Sequence, residues 1–102
     1  MAFSALTGPI AHTVGSAAQT LAEASVSVPD NAAYAEGYVR TASVVVSKTS
    51  TDPTATLGTQ YDPTDIIYLR SRDEILSANF IRQASTDATI NWDFFNEAPR
   101  AE

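Results

Sequence analysis

Apolar and polar side chains alternate with a period of two near the carboxyl end of the chain. Ala88, Ile90, Trp92 and Phe94 fall on one side, and Thr89, Asn91 and Asp93 on the other. Successive side chains of a strand point to opposite faces, so the pattern predicts a strand over residues 88–95 with one wet face. Phe95 breaks the phase as an aromatic on the polar side, which marks it as a candidate interface residue. Residues 79–83 read as a second strand and 84–87 as the tight turn of a hairpin. Residues 34–41 also alternate, with Tyr34, Glu36, Tyr38 and Arg40 on one face and Ala35, Gly37, Val39 and Thr41 on the other. Val44, Val45 and Val46 follow within a predicted strand, 43–48, that suits burial on both faces.

The remaining segments carry shorter signals. Residues 10–14 begin an alternation that the turn signal Gly15-Ser16 closes. Residues 17–25 are ambiguous: their Ala, Gln, Leu and Glu favour a helix, whereas 22–28 alternate toward a strand ending at Pro29. Pro29-Asp30-Asn31 reads as a turn with Pro at the first central position. Across residues 49–64, Pro53, Gly58 and Pro63 exclude a continuous regular element and predict a long loop. Residues 66–69 form a compact apolar strand. Ser71 and Glu74 then have the spacing of a capping box that opens one short helical turn into Ile75 and Leu76. The sum is an all-β domain over residues 10–96 with at most one helical turn, an arm over 1–9 and a polar tail over 97–102. No repeat of 20 to 50 residues is visible.

Composition narrows the function. A length of 102 residues leaves room for one domain, and the absence of Cys removes disulfides and thiolate metal sites. A partner surface or oligomerisation is then the available source of added stability. The net charge of −6 argues against nucleic acid as a partner. Residues 1–10 lack the layout of a cleaved signal, and no apolar run approaches the roughly 20 residues that cross a bilayer. Synthesis and assembly in the cytoplasm, away from membranes, are expected.

The chemistry-bearing residues form no reaction centre. His12 is the only histidine; Ser16 could be grouped with it and an Asp, but no G-x-S-x-G elbow exists, and a half-exposed strand residue is expected there. Asp62, Asp65, Asp73 and Glu74 lack the glycine and final Glu of a calcium loop. They read instead as turn formers around Pro63 and as a helix start. No catalytic residue, metal or cofactor is expected, and the protein is not read as an enzyme. Arg70, Arg72 and Arg82 are half of the six cations. They either pair with nearby carboxylates or meet those of a neighbouring subunit. With Phe3 and Leu6 of the arm and Phe95, they are the candidate interface residues. Tyr61, Tyr68, Trp92 and Phe94 read as core and rim. For a carbohydrate concavity, Tyr34, Tyr38 and Tyr61 are the only candidates.

Residues 52–56 (DPTAT), 65–69 (DIIYL), 72–75 (RDEI), 80–82 (FIR) and 85–95 (STDATINWDFF) stand in the order of a recurring pattern. Over a little under half its length the chain thereby resembles small proteins encoded in tailed-phage genomes. The resemblance implies a β-sandwich or jelly-roll-like virion component. Capsid cement or decoration is the implied role, with the major capsid protein as partner and a homotrimer as the working form. A tail, head-fibre or adaptor protein that recognises a host glycan or a neighbouring virion protein is the alternative. The resemblance carries over no catalytic residue.

Overall fold

Among the described residues eight strands and one helix follow in the order β1 (Ile10–Val14), β2 (Gln19–Thr20), β3 (Tyr34–Arg40), β4 (Val44–Ser47), β5 (Thr59–Tyr61), β6 (Ile66–Leu69), α1 (Arg72–Ser77), β7 (Asn79–Arg82) and β8 (Ala88–Phe95). The computed structural model describes residues 9–48, 52–54 and 56–96. The predicted arm, apart from Pro9, and the predicted tail lie outside the described residues, and Phe3 and Leu6 with them.

The strands build two four-stranded antiparallel sheets, ordered β1-β8-β3-β6 and β2-β7-β4-β5. Each strand of the first half pairs with its counterpart counted back from the end: β1 with β8, β2 with β7, β3 with β6, β4 with β5. The β3–β8 and β4–β7 ladders complete the sheets. This nested order is the double Greek key of an eight-stranded jelly roll. The expected small all-β sandwich with one short helix is therefore present.

Both sheets turn their apolar phase inward. Val14, Val39, Ile67, Leu69, Ile90 and Phe94 of the first sheet pack in one core with Val44, Val46 and Phe80 of the second. Val45, in the opposite phase to Val44 and Val46, is buried as well, so the valine run is covered on both faces as expected. Its outer cover is the chain around Pro53 and Gly58, where φ is +131° and a Cβ would stand 2.7 Å from Val45 Cγ1. Only glycine fits that position.

Trp92 holds the centre of the core. It lies opposite Gly37 in the β3–β8 ladder, and a Cβ on Gly37 would meet its Cζ3 at 2.6 Å and its Cη2 at 2.7 Å. The indole thus occupies the space of the missing side chain. From the facing sheet, Phe80 meets Trp92 edge-on at a centroid distance of 5.6 Å. His12 approaches Phe80 at 5.1 Å, and its Nδ1 accepts a 3.1 Å hydrogen bond from Trp92 Nε1–H. The sequence pointed to a half-exposed histidine; instead His12 is 2% exposed, because it shares the inward phase of β1 with Val14. An Nδ1 that accepts from an indole is unprotonated, and burial pushes the imidazole pKa down to about 4.

Several local readings change in the structure. Residues 17–25 hold neither the helix nor, with 26–28, the strand that the pattern allowed. The two-residue β2 is followed by a hydrogen-bonded turn over 21–25. Thr20 N–H donates to Glu23 Oε1 at 2.8 Å and Glu23 N–H to Thr20 Oγ1 at 3.2 Å, a reciprocal capping box. Val26 N–H donates to Leu21 O and Ser25 N–H to Ala22 O, with Ser25 at φ +64°, which closes the turn as a Schellman motif after one revolution. Start and stop signals stand too close together for a helix. Pro29 opens its turn as the carbonyl acceptor for Ala32 N–H, not as the first central residue. The loop predicted over 49–64 contains β5, a polar edge strand paired with Val44, Val45 and Val46. At α1, Ser71 Oγ accepts from Glu74 N–H as expected, but the Glu74 carboxylate accepts from Arg70 N–H, one residue before the cap.

Two expectations follow from the core. Gly37→Ala forces Trp92 and Ile90 aside and costs about 2 kcal/mol, read as a lower urea midpoint with an unchanged slope. The second concerns acid. Above pH 6.5, the ordinary histidine value, His12 is neutral folded and unfolded. Between that pH and about 4, the unfolded chain takes up a proton that the folded chain refuses, so stability falls on acidification, by up to roughly 3 kcal/mol. His12→Gln keeps an acceptor for the indole and is expected to remove that part of the loss in urea titrations at pH 7 and pH 4.5.

Candidate functional site

With one phase of the first sheet committed to the core, the other forms an outer face whose layout follows from the register. Asp93, Glu36 and Tyr68 make one row across β8, β3 and β6. Ala11, Asn91, Tyr38 and Ile66 make the next across all four strands, and Thr13, Thr89 and Arg40 the one after. Toward the opposite end Phe95 lies beside Tyr34.

Large apolar side chains remain uncovered at the β3–β6 side of this face. Tyr38, Ile66 and Tyr68 are 40, 41 and 36% exposed. Each tyrosine carries an arginine: Arg40 Cζ stands 5.8 Å from the Tyr38 ring centroid and Arg70 Cζ 5.2 Å from that of Tyr68. Among the described residues no carboxylate lies within ion-pair distance of either guanidinium. Tyr34, in the same phase, is buried: the Phe95 ring packs against it at 5.7 Å, and its hydroxyl donates to Glu36 Oε2 at 2.7 Å. Burial, with Glu36 as acceptor, raises the Tyr34 pKa above the ordinary phenol range.

The face ends in a pocket of about 190 Å³ lined by Tyr38, Val39, Arg40, Thr41, Pro63 and Thr64. Two of these residues hold unfavourable backbone. Thr41 has φ +76°, and Ala42 N–H donates to Arg40 O at 2.8 Å. That is the rare positive-φ form of the γ-turn. Asp62-Pro63-Thr64-Asp65 closes with a 2.9 Å bond from Asp65 N–H to Asp62 O, and Thr64 at its third position has φ +81°. Such a type II turn calls for Gly or Asn at that position. β-Branched residues are disfavoured at positive φ, and strain of this kind gathers at binding sites. Thr64 N–H donates to Val39 O at 2.8 Å and Val39 N–H to Asp65 O at 3.0 Å, so the ladder ties the two turns together.

The residues singled out in the sequence fall in different surroundings. Arg70 stands on the outer face. Arg72 turns inward, where Nη1 donates to Pro29 O at 3.1 Å and Ala32 O at 3.0 Å, pinning the chain before β3 to α1. Arg82 pairs with Asp87 at 2.6 Å within the connection from β7 to β8. That connection crosses from the second sheet to the first, so the two strands do not form the hairpin expected from the sequence, each finding its ladder partners elsewhere in the chain. The phase break at Phe95 has an intramolecular contact in Tyr34. Asp62 and Asp65 serve the turn: Asp62 Oδ1 accepts from Ser43 Oγ and Gln60 Nε2, which lowers its pKa, and Asp65 Oδ2 accepts from Asp62 N–H. Tyr34, Tyr38 and Tyr61 line no common concavity, since Tyr61 belongs to the second sheet and packs on the core. Thr41, Thr64 and Ile66 were not among the residues marked by the sequence. For Ile66 a signal existed: residues 66–69 are apolar in both phases, one phase more than a half-buried strand requires.

Among the described residues no group of three or more His, Asp or Glu could hold a metal ion, and no helix is long and apolar enough to cross a membrane. Compared with family models, curated proteins and solved structures, the chain matches none of them. The fold is that of a jelly-roll domain, and its distinguishing site is a surface. Thr64→Gly relieves the turn at some cost in chain entropy and is expected to raise stability by about 1 kcal/mol, or the melting temperature by about 5 °C, in thermal unfolding followed by circular dichroism.

Proposed function

We propose that the chain is a non-catalytic structural component of a tailed-phage particle, a cement or decoration protein that attaches to the assembled head and stabilises it. The observation that carries this reading is the outer face of the first sheet, where exposed aromatic and aliphatic side chains stand beside two arginines with no carboxylate partner among the described residues. Tyr and Arg dominate the energetics of protein interfaces because they combine large area with directed donors. The pattern over residues 52–95 and the double Greek key, a fold that recurs in viral capsid domains, support the same reading. Attachment as a trimer between major capsid subunits places many modest contacts on a lattice, so that avidity supplies the strength.

Mass spectrometry and cryo-electron microscopy of purified virions test the assignment. The expected result is a head-bound density with copies in the hundreds. A few copies at the tail indicate a fibre or adaptor, and absence from the particle overturns the proposal.

A further inference from the structure

We infer that the pocket between the Thr41 and Thr64 turns seats a single Asp or Glu side chain of the protein on which this chain docks, with Arg40 as the anchor of that carboxylate. The inference rests on the reading that the chain attaches to phage heads, and it names the chemistry of the contact. Three observations lead to it.

The first is charge. The chain carries twelve acidic and six basic residues, so most of its surface repels an acidic partner. Arg40 is an exception at the rim of a pocket. The nearby turn carboxylates do not serve it, because Asp62 is engaged by Ser43 and Gln60, and Asp65 by the Asp62 amide. A guanidinium held beside a ring keeps N–H donors for a carboxylate, and this pairing is directional in a way that a lysine's is not.

The second is rigidity. Both walls of the pocket are threonines at positive φ, +76° at Thr41 and +81° at Thr64, joined through Val39 by two ladder hydrogen bonds. Glycine or asparagine would make the Thr64 turn without strain, and the Thr41 turn is of a strained type in itself. A strained and tied pair of turns presents a shaped pocket before the partner arrives, which lowers the ordering cost of binding. The third is occupancy of the ring: Arg40 already lies over Tyr38. A sugar that needs the open face of that tyrosine is therefore disfavoured relative to a carboxylate, which needs only the guanidinium.

Purified heads lacking the protein provide the probe, with binding measured by co-sedimentation of the full chain and folding of each variant checked by circular dichroism. Arg40→Ala is expected to weaken binding about thirtyfold. Arg40→Lys, which keeps the charge but loses the planar fork, is expected to weaken it about tenfold. Lys48→Ala makes the same change in net charge away from the face and is expected to bind as the unchanged protein does. Thr64→Gly is expected to melt higher yet bind about fivefold more weakly, a split that a purely structural role does not produce. Unchanged binding by folded Arg40→Ala overturns the pocket assignment and leaves head attachment standing. Failure of the unchanged protein to bind heads overturns attachment itself and the inference with it. Binding that is lost when the heads are treated with periodate, and that ignores both Arg40 variants, assigns the face to carbohydrate and also overturns it.

Discussion

The contact between Trp92 and the bare backbone of Gly37 is the constraint on which the rest of the structure depends. An indole buries more area than any other side chain, and it enters the middle of a small sandwich only where the adjacent strand has no Cβ. Once seated, it meets Phe80 of the opposite sheet and Phe94 of its own, and its N–H is satisfied by His12. A polar pair is thereby closed inside an apolar core, where an unmatched indole or imidazole nitrogen would be costly. The same contact couples the amino-terminal strand to the carboxyl-terminal one, since His12 and Trp92 lie on adjacent strands from opposite ends of the chain.

That coupling is a property of the topology. Pairing each strand with its mirror image in the chain order makes the first and last strands neighbours. Such ladders are antiparallel and non-local, so loop-closure entropy is paid before most of the contacts form. Local devices partly offset that cost. The capping box and Schellman closure around residues 20–26, the Ser71 cap of α1 and the Arg72 bonds to Pro29 and Ala32 each order a connection without adding area to the core. The jelly roll then has two outer faces. That of the second sheet is partly covered by the chain around Pro53 and Gly58. That of the first keeps Tyr38, Ile66 and Tyr68 in solvent, on positions that the fold does not need for stability.

The contrast among the described positive-φ threonines and serine is informative. Ser25 terminates a turn and has a local reason for its conformation. Thr41 and Thr64 border the outer face, where glycine would serve the Thr64 turn with less strain and the Thr41 turn is of a strained type. Placement of strain beside an uncovered aromatic and arginine surface connects backbone conformation to recognition, through the general link between preorganised sites and imperfect local geometry.

The strand over residues 88–95, the two-sided valine strand, the alternation of β3 and the Ser71 cap were legible in the sequence, because each rests on side-chain period or on bonds within four residues. β2 and β5 were not, being two and three polar residues whose strand state comes only from a partner ladder. The burial of His12 needed the facing strand, because an imidazole is equally at home in water and in a core until an indole N–H is placed against it. The outer face was half visible: alternation put Tyr38 and Arg40 on one side of β3, but nothing local says that Ile66 and Tyr68 extend that side or that two turns 23 residues apart meet across a pocket. Alternation determined which side chains share a face of each strand. Only the tertiary pairing decided which faces became neighbours, because a ladder is made by hydrogen bonds between segments that are distant along the chain.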